Sequence, residues 1–143
     1  MHLEEPNRVI EYQNKESHAL WPSIVSFCSS FSEDDEIHIV EGVALLPSLI
    51  HKMKNQPKHI LFLGNTNPSH IENIKRHMKQ FPEKDWMSIL NYDDAKTEGM
   101  ANFINKMSHY FKREADKYGY PYYEISEIDF EKNLQEALTV ISK

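Results

Sequence analysis

Three short runs of strand-forming residues, each followed by a stretch with helical spacing, most tightly limit what this chain can fold into. Ile37, His38, Ile39 and Val40 form the first run, Ile60, Leu61, Phe62 and Leu63 the second, and Pro121 to Ile125 the third. Apolar runs this short suit strands buried on both faces. After the first run and Gly42, the residues Val43, Leu46, Leu49, Ile50 and Met53 recur at helical spacing. After the second, Asn67 and Pro68 read as a helix N-cap and first helical position, with Ile71, Ile74 and Met78 facing inward. After the third, Asp129 reads as a cap before Phe130, Leu134, Ala137, Leu138 and Ile141. Two more helices are expected. One carries Leu20, Ile24, Phe27, Cys28 and Phe31 on its inner stripe; the longest runs from Met100 to Tyr118, with Gly119 as a left-handed C-cap. Parallel strands need crossovers, and a helix is the usual one, so this alternation predicts a three-layer α/β domain around a parallel sheet. Ligands of such sheets bind beyond the carboxyl ends of the strands. Glu41 with Gly42, Gly64 to Asn67, and Ser126 to Asp129 are therefore expected on one edge.

The bulk properties narrow the function. At 143 residues the chain reads as one domain, residues 1–143. Its 22 acids against 16 Lys and Arg, a net charge of −6, argue against nucleic acid as a partner, since phosphate backbones select basic surfaces. No apolar run approaches the roughly 20 residues of a membrane span, and MHLEEPNR lacks the basic and then apolar regions of a signal peptide. A cytoplasmic protein without a membrane partner is expected. The lone Cys28 admits no internal disulfide. The eight histidines show no zinc spacing, and His70 and His77, seven apart, have no acid evident beside them. Residues 80–97 are polar and irregular, with Pro82, Asp85, Trp86, Asp93 and Asp94, and read as a lid-like segment in which Trp86 anchors the loop. Tyr120, Tyr122 and Tyr123 read as half-buried strand residues.

Taken in order, "ESHALWPSIVSF", "HIVEG", "ILFLGNTNPSHIENIKRHM", a lid-like stretch, a long helix and "PYYEIS" resemble the later part of a small P-loop kinase, similar to 2-phosphoglycerate kinase, over residues 16–143. The resemblance implies a P-loop NTPase-like parallel sheet truncated at its N-terminal strand and phosphate loop. It implies ATP and Mg²⁺ as cofactors, with Glu41 as the catalytic acid or base that also holds Mg²⁺ through a water. Lys75, Arg76 and Lys79 would be lid cations on the transferred phosphate, and Ser126, Glu127 and Asp129 the loop around the nucleotide base. Glu16, His18 and Trp21 would face the phosphate acceptor. Cations and a metal-linked carboxylate suit phosphoryl transfer, whose transition state spreads negative charge. The residues alone also allow a solvated Glu41 and a merely charged outer helix face at Lys75 and Arg76. The chain has no G-x-x-x-x-G-K-[ST]: Gly42, Gly64, Gly99 and Gly119 are its glycines and none precedes a lysine. Two functions are thus expected: a phosphotransferase on a nucleotide or small phosphorylated metabolite, or a catalytically degenerate, non-enzymatic binding domain. A sheet missing its central strand exposes an edge, and a homodimer through that edge is the corollary of the second.

Overall fold

The computed structural model describes residues 6–31, 37–125 and 130–142. It opens with α1, Pro6–Ser29, which begins well before the helix expected from Leu20. Its inward face also differs: Ser17 is fully buried, Gln13 is buried, and Ile10 and Trp21 pack on the core, while Leu20 and Phe27 stand exposed. Trp21, the bulkiest apolar residue of the helix, decides which stripe turns inward, and Leu20 is thereby rotated out. The buried Ser17 hydroxyl donates to the carbonyl of Gln13 four residues back, 2.8 Å away, so it needs no other partner. Pro22 lies inside the helix and leaves one backbone hydrogen bond unmade.

Residues 37–40 do not form the expected strand. They run as exposed coil, with Ile37 90% and Ile39 83% accessible. β-branched residues favour extended backbone, but a strand exists through a ladder, and no described segment supplies one here. The helix expected over residues 43–53 shrinks to α2, Pro47–Ile50, whose Leu49 and Ile50 join Leu46 in the core. Gly42 adopts φ +152°, a conformation that side chains disfavour.

Two strands remain, β1 (Phe62–Gly64) and β2 (Tyr122–Glu124), paired parallel with Phe62 opposite Tyr122 and Gly64 opposite Glu124. The expected parallel α/β arrangement is present in this reduced form: the protein is mostly helical, with a two-stranded parallel sheet. Between the strands run α3 (His70–Gln80), α4 (Trp86–Ile89) and α5 (Asp94–Tyr118), and α6 (Phe130–Ile141) follows β2. α3 begins two residues later than expected: its N-cap position is Ser69 rather than Asn67, whose carboxamide oxygen instead accepts from the Ser69 amide (2.9 Å) in an Asx turn leading into His70. Gly119 is the left-handed C-cap of α5 at φ +74°, as expected. α5 is the hub, touching β1, β2, α1, α2 and α3. Its Phe111 stacks on Phe62 with ring centroids 5.7 Å apart, and Met107, Tyr110 and Ala115 complete its buried stripe. No described helix is long and apolar enough to cross a membrane.

Candidate functional site at the carboxyl edge

Past Gly64 the chain leaves the sheet as Asn65, Thr66 and Asn67, and side chains hold this loop from both sides. The Asn65 amide donates to Ser108 Oγ of α5 (2.9 Å), and the Asn65 carboxamide donates to the Ile125 carbonyl (2.9 Å). Asn105 donates to the carbonyls of Asn65 (3.2 Å) and Asn67 (3.4 Å). Glu124, the last residue of β2, accepts from the Thr66 amide (2.9 Å), from the Thr66 hydroxyl, and from Lys112 Nζ (3.2 Å). Partial burial would raise the Glu124 pKa, but the Thr66 hydroxyl and amide and the Lys112 ammonium outweigh it and hold the carboxyl below its ordinary range. With these acceptor bonds made, Glu124 is a clamp between the two strand tips rather than a free base. Tyr122 lies beneath, its hydroxyl buried against Ser108 and Gly64, and burial raises its phenol far above the usual value.

The hydrogen bonds also orient α5. Phe111 lies level with Phe62 and Asn105 level with Asn65, so the helix climbs toward the carboxyl edge as its numbers fall. Asp94, eleven residues before Asn105, therefore lies about 16 Å beyond that level, at 1.5 Å per residue. α3 packs on this overhang, with Lys75 Nζ donating to Glu98 Oε1 and Thr97 Oγ1 in contact with Met78 Sδ at 3.7 Å. One face of α3, with Glu72, Lys75, Arg76, Lys79 and Gln80, lines an open hollow of about 540 Å³. The three lid cations expected from the sequence thus share one surface beyond the strand tips. Glu98 raises the Lys75 pKa, and Arg76 donates to Asn73 Oδ1 (3.0 Å).

The segment expected to be a lid contains α4 and the first turn of α5. Asp85 caps α4, its Oδ1 accepting from the Met87 and Ser88 amides at 3.0 Å each, while its Oδ2 lies 2.9 Å from His77 Nδ1. Burial pushes the Asp85 pKa up, yet the Ser88 amide, the His77 ring and the Met87 amide together bring it below the usual value. Trp86, 47% exposed, packs edge-on against Tyr92 of the same segment, centroids 5.5 Å apart.

The other expected site residues that are described make none of the contacts of this edge. Glu41 lies exposed in the coil after residue 40 and makes no hydrogen bond or ion pair with Thr66 or Glu124 among the described residues. Glu16 and His18 are exposed on α1, whereas Trp21, on a different face, packs into the core, so the three do not share one surface. Ser126, Glu127 and Asp129 lie outside the described residues. Among the described residues no group of three or more His, Cys, Asp or Glu side chains is placed to hold a metal ion. Glu41 by itself therefore does not fit a Mg²⁺ site. The pattern did not reveal Glu124 as a clamp or Asp85 beside His77, because both contacts join segments whose spacing says nothing about their approach; Thr66 and Glu124 are 58 residues apart. No protein-family profile, no curated protein and no solved structure matches the chain.

Proposed function

We propose that the protein is a kinase-like phosphate binder that takes a nucleotide or small phosphorylated metabolite against Lys75, Arg76 and Lys79. The observation carrying this reading is that the three cations line a single hollow with one acid, Glu72, beyond a parallel strand pair, Lys75 being paired with Glu98 and Arg76 and Lys79 completing the cationic face. Ligands of parallel α/β sheets are held on this side, and fixed cations suit a phosphate's charge. The P-loop-kinase resemblance supports the same reading and would make the bound group one that is transferred. Transfer needs a nest of backbone N–H groups on the β and γ phosphates, which no glycine-lysine motif of this chain supplies. Phosphate binding is accordingly the part that these residues carry.

Thermal unfolding with ATP, ATP with Mg²⁺, and inorganic pyrophosphate tests it. Saturating ligand, at about 100 times its dissociation constant, stabilises by about 2.7 kcal/mol. The Arg76→Ala, Lys79→Ala double variant should lose most of the shift. An unmoved melting temperature at millimolar concentrations of all three ligands overturns the reading.

A second reading, a non-enzymatic interaction domain that dimerises, has its own observation. Phe62 donates to the Pro121 carbonyl (2.9 Å) and Ile125 donates to the Gly64 carbonyl (2.7 Å). The alternation of a parallel ladder then turns the N–H and C=O of Leu63 to the opposite edge, where no described strand receives them. Sedimentation across a concentration series distinguishes monomer from dimer. On this reading Leu63→Pro, which removes an outward-facing donor, should shift the equilibrium to monomer.

A further inference from the structure

We propose that His77 Nε2 is a phosphoryl-acceptor site, a nucleophile oriented by the buried carboxylate of Asp85. Asp85 is 6% accessible and one oxygen of its carboxylate is fully engaged by the Met87 and Ser88 amides, so the carboxylate cannot turn away from the imidazole. Its other oxygen lies 2.9 Å from His77 Nδ1. An ionised carboxylate only accepts, so Nδ1 carries the ring proton and the lone pair of the neutral ring is on Nε2. The ring is half exposed, and Nε2 makes no hydrogen bond among the described residues. Phe81 packs against the ring, centroids 5.3 Å apart, and limits its rotation. A held tautomer, an adjacent buried anion and a solvent-facing lone pair are the requirements of an activated imidazole.

A phosphoryl group is an electrophile whose adduct leaves the ring cationic, the state that the adjacent Asp85 carboxylate stabilises. Arg76 and Lys79 point about 100° and about 160° round α3 from His77, so the cationic hollow is a separate face and the donor meets the ring without it. In the step, Nε2 attacks the phosphorus of a small phosphoryl donor such as phosphoramidate. The N–P bond to the ring forms, the donor's P–N bond breaks, and ammonia leaves. The ring keeps its Nδ1 proton and takes on positive charge directly against Asp85, where a buried anion stabilises it most. No oxidant, metal or nucleotide is required. The inference therefore stands apart from nucleotide binding and can fail or survive independently of it.

The test is incubation of the full chain with phosphoramidate, followed by mass spectrometry under alkaline conditions and ³¹P NMR for an acid-labile phosphohistidine. The exposed His18, His51 and His109 serve as internal controls. His77 should label ahead of all three, and His77→Gln should remove that label. Asp85→Asn keeps an oxygen for the Met87 and Ser88 amides but presents an NH₂ to the ring. It should move the ring proton to Nε2, visible in ¹⁵N NMR of the imidazole, and slow labelling by at least about tenfold. Equal labelling of His77 and the control histidines overturns the proposal, as does an unchanged rate in a folded Asp85→Asn variant. Should that variant unfold, the selectivity of the wild-type chain decides alone.

Discussion

At Gly64 the missing side chain is a packing requirement. A Cβ there would collide with the Tyr122 hydroxyl and lie 2.8 Å from Ser108 Oγ, although the backbone itself is unstrained. At Gly119 the reason is reversed: a Cβ would meet nothing, but φ is +74°. Alanine at either position should destabilise, by about 1–3 kcal/mol at Gly64 from overpacking and about 1–2 kcal/mol at Gly119 from the left-handed backbone. Asparagine separates the two causes, because it visits the left-handed region. Urea unfolding should find Gly119→Asn milder than Gly119→Ala, and Gly64→Asn worse than Gly64→Ala. Asp85 belongs to this scale as well. Its replacement by Ala removes the cap of α4 and should cost about 0.5–2 kcal/mol.

The loop after β1 ties both strand tips to α5 through Glu124, Ser108 and Asn105, which gives the sheet a pH dependence. Glu124 is held below the ordinary glutamate value, so folding favours its ionised form. Its contribution is therefore complete above the unfolded value of about 4.3 and is lost as pH falls through the lower folded value. Glu124→Gln should lower the urea midpoint at neutral pH and leave a shallower acid limb; an identical acid limb in the variant would show that the clamp contributes no linkage. Thr66→Val, which removes the hydroxyl but not the amide donor, should give a smaller loss in the same direction. This clamp could not be read from the sequence. The long helix α5 could, since Gly119 and the Met107, Phe111, Ala115 spacing need no partner to be recognised. The α1 stripe was misjudged because Leu20 and Trp21 are neighbours pointing about 100° apart, and periodicity alone does not say which of them finds the core.

Across the whole molecule, stability centres on α5. It packs on both strands and three helices, whereas residues 37–41 are exposed coil and make no backbone hydrogen bond among the described residues. Native-state hydrogen exchange should accordingly be slowest across Met107 to Ala115 and fast over residues 37–41. Slow exchange of the Leu63 amide in a concentrated sample, and fast exchange in a dilute one, would mark the open edge as paired in a dimer.

Periodicity, glycine placement and composition were sufficient for α5 and its Gly119 cap, for a helix in the segments of α3 and α6, for the parallel sense of the two paired strands and for the absence of a membrane-spanning helix among the described residues. Each of these depends on properties that a residue shares with its near neighbours along the chain. The tertiary structure alone decided that residues 37–40 join no described strand, that Lys75, Arg76 and Lys79 line one hollow, and that Glu124 and Asp85 are occupied by Thr66 and His77. A strand is completed, and a carboxylate is assigned its role, by groups that arrive from elsewhere in the chain, and local pattern carries no information about which group arrives.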